Sequence, residues 1–550
     1  MIFNKWYTLF GFYDLTKKFK KQLKNGKKDI FFKNTHRGRH KKDNTEKLVD
    51  LIITSRKHYL SVPEIQTVMD AKGNHVSQRY IYLTIKKEGF GRLPRRSKEN
   101  REIGKKDIIK KIEAPKSISL NFEPEVFSTE CGAGILALAP ILEKYGIAKA
   151  IRESDYPETG VINKESSILS VLALKFSNIR RYSADDLWCM DRGIGLIAGL
   201  NVLPKAAWFS SYSSRITREV NISFLRKLHR IWVKEGLLSD TMNLDFTTIP
   251  YWGDSSHLEN NWSGKRHQPM ASMLAVLAQD PDSGIIDYSD TNVRHKNEPE
   301  VVLEFIDFYK VGHNKGLKYL VFDSKFTTYQ NLSKLDDQNI KFVTIRRRGK
   351  NIVNELADLP KSNWKKIHVI KADGKGRTLK VHDQKLDSLK GYLKPIRQIA
   401  ITGHGRLKPS LIITNDFDSS SELLIRKYSK RWLVEKEMSE QIEFFHLNRL
   451  SSSIVIKVDF DLTMSIVAHN IYRLFAKQFQ SYQNISDQSV FEKFLFVSGS
   501  IEISDNDFIF VKIKKKRHLP LLLDVLKSSG DIPISWLANK SIVFQGASTS

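Results

Sequence analysis

Three acids stand in settings where a carboxylate can do chemistry. Asp245 lies in a stretch, 242–247, in which apolar and polar residues alternate. Asn243, Asp245 and Thr247 share one strand face, and Met242, Leu244 and Phe246 share the other. A carboxylate in the middle of a core strand is costly unless it is paired or holds a metal. Asp323 closes the apolar run Tyr-Leu-Val-Phe at 319–322, and the carboxyl ends of strands are where α/β sheets place their ligands. Glu435 follows Tyr428 and Arg431 at helical spacing, so the three side chains share one face. An all-oxygen set of this kind suits Mg²⁺. Two such ions, roughly 3.5–4 Å apart, stabilise the attacking and leaving oxygens of an in-line phosphodiester displacement. One bridging Asp, one Asp for the first ion and one Glu for the second make a workable set. Each acid also has a plain structural alternative: Asp245 hydrogen-bonded within a sheet, Asp323 as a helix N-cap, Glu435 paired with Arg431. Asp254, Asp287 and Asp290 are competing acids, of which Asp287 is expected at the surface.

The elements around the acids predict a mixed α/β sheet. Strands are expected at 242–247, 272–279, 284–288, 319–323 and 340–345, with helices at 300–309 and 329–337. The rhythm changes over 350–420, where four short strands with turns at Gly374 and Gly403 suggest a β-rich insertion. One long helix, 421–447, then carries Tyr428, Arg431, Trp432 and Glu435. Residues 101–240 have the apolar periodicity of helices.

The amino-terminal part points to a polyanionic partner. Residues 16–42 carry twelve Lys or Arg and a single acid, Asp29, and the whole chain of 550 residues holds 89 Lys+Arg against 61 Asp+Glu, a formal charge of +28. Such a balance favours nucleic acid, through release of condensed counterions. Three short helices follow in 44–90. Ser61, Pro63 and Glu64 open the second, Gly73 and Asn74 make a turn, and Ser77 opens the third. The pattern fits a helix-turn-helix, whose last helix would present Gln78, Arg79 and Tyr82 to base edges, with the basic residues Arg92, Arg95, Arg96 and Lys98 after it. Two cysteines, Cys131 and Cys189, exclude a disulfide scaffold and a zinc cluster. No apolar run reaches the ~18 residues that span a bilayer, so the expectation is a soluble intracellular protein with no membrane partner.

The residues around the acids resemble the DDE transposases of bacterial insertion sequences, in the subgroup with an inserted β domain and a Tyr-x2-Arg-x3-Glu-x6-Lys signature. Tyr428, Arg431 and Glu435 match the signature, and Arg431-Trp-Leu-Val-Glu435 is similar to its Arg-Trp-x-Ile-Glu stretch. The segments 244–249 and 320–323 are similar to its two Asp strands. One position departs: Ile442 stands where the signature has Lys, so a cation clamping the DNA backbone would come from Lys436 or Arg449. The resemblance implies an RNase H-like core with Asp245, Asp323 and Glu435 as catalytic metal ligands. The metal would be two Mg²⁺ ions, with Mn²⁺ able to substitute. It also implies nicking of one strand at the element end, attack by the freed 3′-hydroxyl, and a protein active in the bacterial cytoplasm. Double-stranded DNA, as transposon ends and target, would be the partner, and two ends held together call for a homodimer. Tyr428 and Arg431 would hold phosphates, and Trp364 or Trp432 would stack on an unpaired base. Arg346, Arg347 and Arg348 would form a phosphate patch.

The implied organisation is a basic arm at 1–42, a helix-turn-helix domain at 43–100 and an all-helical region at 101–240. The first part of the core follows at 241–349, the β-rich insertion at 350–420 and the second part of the core at 421–475. The region 476–550 has no assigned role. A DNA-binding regulator with a non-catalytic core, and an RNase H-like nuclease, are the rival readings.

Overall fold

The computed structural model describes residues 45–57, 60–88, 90, 120, 122–179, 186–250, 258–263, 268–293, 298–312, 316–323, 328–370, 376–405, 408–447 and 455–547. The basic arm, the Arg92–Lys98 stretch, Asp254 and Arg449 lie outside them. Two compact units divide the chain, residues 1–115 and 116–550.

In the first unit, α1 (Thr45–Lys57), α2 (Val62–Ala71) and α3 (Gln78–Lys87) enclose a small core. Ile52, Leu60, Ile65, Met69, Ile81 and Ile85 meet there, at positions that recur with helical spacing. The Ser61 amide donates to the Glu64 carboxylate at 2.7 Å, closing the capping box. Gly73 turns the chain at φ 74°, a backbone conformation open to glycine without strain. The Ser77 hydroxyl then caps α3 by accepting from the Tyr80 amide. Gln78, Arg79 and Tyr82 stand exposed on α3.

The second unit is built on a mixed ten-stranded sheet. Helical segments precede it, among them α4 (Lys164–Phe176), α5 (Ala206–Ser213) and α6 (Arg218–Lys234). The region is not all-helical, because β1 (Glu125–Thr129) precedes them and pairs with residues 499–503, far along the chain, a pairing that its weak local pattern conceals.

The sheet begins with β2 (Thr241–Pro250), β3 (Asn260–Ser263), β4 (Gln268–Gln279) and β5 (Ile286–Val293). Helix α7 (Val301–Gly312) leads to β6 (Tyr319–Phe322), α8 (Tyr329–Asp337), β7 (Lys341–Ile345) and α9 (Lys350–Ala357). Then come β8 (Lys365–Ile370), β9 (Gly376–Leu386), β10 (Ile396–Thr402) and β11 (Ser410–Thr414). The order is β3-β4-β2-β6-β7-β11-β10-β9-β8, with β5 also on β4. Strand β4 runs antiparallel to β2 and β5, whereas β2, β6 and β7 are parallel. The strands of 350–420 continue the same sheet through β7 and β11.

Two helices close the sheet, α10 (Ser421–Phe444) and α11 (Val455–Ala476). Side chains two apart on a strand fall on one face. Met242, Leu244, Leu320, Phe322 and Phe342 therefore join the main core with α4, α6, α7 and α11. On the opposite face, Tyr319, Val321 and Val343 pack on Leu424, Ile425 and Tyr428 of α10. Residues 476–547 form a five-stranded sheet from β12 (Gly499–Ile503), β13 (Phe508–Ile513), β14 (Pro533–Ile534) and β15 (Lys540–Gly546) together with β1, and α12 (Leu519–Leu526) lies between β13 and β14 in sequence. Among the described residues no helix is long and apolar enough to cross a membrane.

Candidate active site

Two of the three acids are brought together by strand register. The parallel pairing sets Thr241 against Tyr319 and Leu244 against Phe322. The next residue on each chain is an aspartate, Asp245 and Asp323. Neighbouring strands lie roughly 4.7–4.9 Å apart, so the continued register sets the two acids side by side. Asp245 has the parity of Asn243 and Asp323 that of Val321, which directs both toward α10 and away from the main core. The cap of α8 is Thr328, whose hydroxyl accepts from the Asn331 amide.

Helix α10 delivers the cation to this pair. Leu424, Ile425, Tyr428 and Arg431 recur at helical spacing and are all buried. The first three anchor the helix on Tyr319 and Val321. One turn later, Arg431 Nη1 donates to Asp245 Oδ2 at 2.6 Å, and both residues are under 5 % exposed. The other oxygen, Oδ1, accepts from the Phe246 amide at 2.8 Å. The Arg431 guanidinium also lies 5.2 Å from the centre of the Tyr428 ring. Burial pushes the Tyr428 phenol up to about 12; Arg431 opposes that shift, and the Asp323 and Asp245 carboxylates reinforce it. Tyr428 is therefore a neutral donor at any physiological pH, held against both acids and the arginine.

Glu435 belongs to the same helix, four residues beyond Arg431. Side chains from 432 to 442, which include Trp432, Glu435, Lys436 and Ile442, lie outside the described residues. Among the described residues no group of three or more His, Cys, Asp or Glu side chains is placed to hold a metal.

The other candidates are dispersed. Trp364 is half-buried against the cluster of Leu356, Ala400 and Leu411, with the His382 ring 5.9 Å away. The arginine triplet splits by environment: Arg346 donates to Gln398, Arg348 to the backbone carbonyls of Lys408 and Pro409, and Arg347 is exposed. Asp287 is a correction. It is 1 % exposed and bonded to His229 Nδ1 at 2.7 Å, not a surface residue; the strand period points it inward, and its histidine partner on α6 is invisible to local pattern. Asp290 pairs with Arg218 at 3.2 Å.

Sequence reasoning also passed over the cations Lys427 and Lys430 that precede Arg431 on α10. Lys427 Nζ lies 3.2 Å above the Tyr319 ring, and burial lowers its ammonium below the ordinary lysine value. Lys430 pairs with Asp282 at 2.7 Å. The basic run Arg426-Lys427…Lys430-Arg431 was the available signal.

Comparison with known proteins follows the same segment. The family described as "Transposase DDE domain" matches residues 240–471, from the first residues of β2 into α11. No curated protein matches the chain. Among solved structures, the piggyBac transposase synaptic complex with hairpin DNA is similar at 11 % identity over 66 % of this chain and 79 % of that one, with a TM-score of 0.35. Asp245, Asp323 and the Glu435 helix all lie inside the matched segment, so residues 240–471 are similar to a transposase DDE domain, and that similarity supports a function in DNA transposition.

Proposed function

We propose that the protein is a cut-and-paste enzyme that binds the ends of an insertion sequence, cleaves DNA strands there and joins them to a target. Asp245, Asp323 and Glu435 are the catalytic acids. The observation that carries this reading is the register that sets Asp245 beside Asp323, with Arg431 of the Glu435 helix bonded to Asp245. A helix rises about 1.5 Å per residue, so Glu435 lies about 6 Å along α10 from Arg431. The sheet order supports an RNase H-like core: three antiparallel strands (β5, β4, β2), then β6 and β7 parallel to β2.

Carboxylates in this arrangement are hard oxygen donors that fit Mg²⁺ or Mn²⁺. Asp245, Asp323 and Glu435 would hold two such ions. When bound, the ions supply charge stabilisation to the attacking and leaving oxygens of the phosphodiester. The chain's own groups do the rest. Arg431 holds Asp245 Oδ2 and presents a guanidinium to phosphate. Tyr428 offers a neutral hydroxyl as a donor, and Trp432 and Trp364 offer aromatic surfaces to bases.

DNA ends are read by the first unit as a helix-turn-helix, through Gln78, Arg79 and Tyr82 at the exposed start of α3, with Arg347 and its neighbours as phosphate contacts. A homodimer holds two ends on double-stranded DNA in the bacterial cytoplasm. Domain boundaries follow the seven segments set out above, with 101–240 mostly helical apart from β1 and 350–420 as the β-rich insertion.

The test is Mg²⁺-dependent cleavage of DNA carrying the element ends. Asp245→Asn, Asp323→Asn and Glu435→Gln each abolish cleavage and leave DNA binding intact. Normal cutting by any one variant removes that residue from the set. Binding without cleavage by the unaltered protein would favour a regulator.

A further inference from the structure

Every contact of α10 used so far lies on one side of Glu435. Leu424, Ile425 and Tyr428 anchor the start of the helix, and Arg431 bonds to Asp245 one turn before the acid. The helix continues to Phe444, about 13–14 Å beyond Glu435. Its far end meets the carboxyl end of α4, an element with no part in the site described above.

Three ties are made there. Lys175, in the last turn of α4, is buried. Its ammonium donates to the Phe445 carbonyl at 3.2 Å and pairs with Asp461 of α11 at 2.7 Å. A lysine is rarely taken inside unless paired, and a cation beside the last carbonyls of a helix also meets the negative end of its dipole. Second, Asn178 and His446 stand just past the ends of α4 and α10, both with left-handed backbone, at φ 50° and 57°. Such backbone is uncommon outside glycine and persists where the surroundings hold it. Here the two side chains are joined, with His446 Nε2 donating to Asn178 Oδ1. Third, the rings of Phe444 and Phe445 pack edge-on against Tyr472 of α11, with centres 5.6 and 6.1 Å away. The Tyr472 hydroxyl donates to the Phe176 carbonyl at 2.8 Å. Lys175, Phe176 and Asn178 thus address one spot, the end of α10 and the face of α11 beside it.

A helix held only at Arg431 can pivot there. A tilt of roughly ten degrees moves a residue 6 Å from the pivot by about 1 Å, more than the about 0.5 Å that a working site tolerates. A second hold beyond Glu435 removes that freedom. We propose that the carboxyl end of α4 is a latch for the Glu435 helix, with Lys175, Asn178 and His446 as positioning residues that keep Glu435 in line with Asp245 and Asp323. The latch rests on the reading of Glu435 as a metal ligand.

Mn²⁺ is titrated into the full chain without DNA, and binding is followed by the EPR signal of the free ion. Asn178→Gly removes the amide and keeps the left-handed turn, which glycine adopts without strain, so its melting temperature holds. It weakens Mn²⁺ binding about tenfold, as loss of an outer support does at metal sites. Asn178→Asp, which keeps both the turn and the acceptor, binds as the parent does. Lys175→Met, an independent variant should the first fail to fold, gives the same loss. Glu435→Gln is itself weakened, and adding Asn178→Gly to it brings no further loss, because the effect runs through Glu435. The proposal is overturned if Asn178→Gly binds Mn²⁺ as the parent does while Glu435→Gln does not. It is overturned also if the loss is undiminished in the Glu435→Gln background, which would mark a general loosening of the fold. Should Glu435→Gln bind Mn²⁺ as the parent does, the metal-ligand reading itself falls and takes the latch with it.

Discussion

Arg431 and Asp245 form a buried ion pair that spans from helix α10 to strand β2, at 2.6 Å. The pair joins the helix that carries Glu435 to the strand that carries the first acid. Breaking a buried pair by deleting one partner costs about 3–5 kcal/mol. Arg431→Met therefore destabilises the metal-free protein by that amount in urea unfolding. The double variant Arg431→Met, Asp245→Asn regains most of the loss. Millimolar Mn²⁺ raises the stability of Arg431→Met more than that of the parent, because the cation replaces the missing charge. Equal stability of single variant and parent would show that the pair does not organise the site.

The packing that positions Asp323 is open to a direct check. Leu320 is fully buried in the main core, three residues before the acid. Leu320→Ala removes its contacts and leaves a cavity, at a cost of about 2–5 kcal/mol. Thermal denaturation reports the loss, and cleavage at low temperature falls because β6 no longer holds Asp323 in register. A stability change within error would place the strand outside the core.

Acid weakens the sheet through Asp416. Burial alone would raise its carboxyl, but hydrogen bonds from Ser419, Tyr319 and Lys341 outweigh that and hold it well below the ordinary value of 3.8. A depressed folded value means the stabilisation is complete above the unfolded value and is lost as pH falls through the folded one. Urea midpoints measured from about pH 6 down to about pH 2 should therefore decline, and Asp416→Asn should flatten part of the decline. The same variant loses about 1–3 kcal/mol at neutral pH. A parallel pH profile for variant and parent would contradict the assignment.

Base reading is proposed for the exposed start of α3. Arg79→Ala should weaken binding to end DNA by about 1–3 kcal/mol and relax sequence preference at one position. Cleavage of DNA already bound should be unaffected. Competition binding against scrambled ends measures both quantities. A uniform loss across all sequences would make Arg79 a phosphate contact.

Much of the local structure is legible in the residues. Alternation over 242–247 marks β2, the apolar run at 319–322 marks β6, and the strand Ile396–Thr402 falls within the β-rich stretch expected at 350–420. Ser61, Gly73 and Ser77 announce the caps and turn of the first unit, because capping and left-handed turns are decided within a few residues. The helical spacing of Tyr428, Arg431 and Glu435 is legible for the same reason.

What the chain could not disclose on its own is which distant segments meet. Residues 284–288 suggested a strand that in fact runs over Ile286–Val293, since pairing with β4 sets its ends. Asp287 looked like a surface acid because His229, its partner, lies on a separate helix. The contact of Arg431 with Asp245 comes from the packing of Leu424, Ile425 and Tyr428 on the sheet, which fixes the height of α10 above β2. The residue types and the spacing of the acids along the chain were written in the sequence. The meeting of Asp245 and Asp323 was decided by register, because hydrogen-bond pairing between β2 and β6 acts between segments that no local pattern connects.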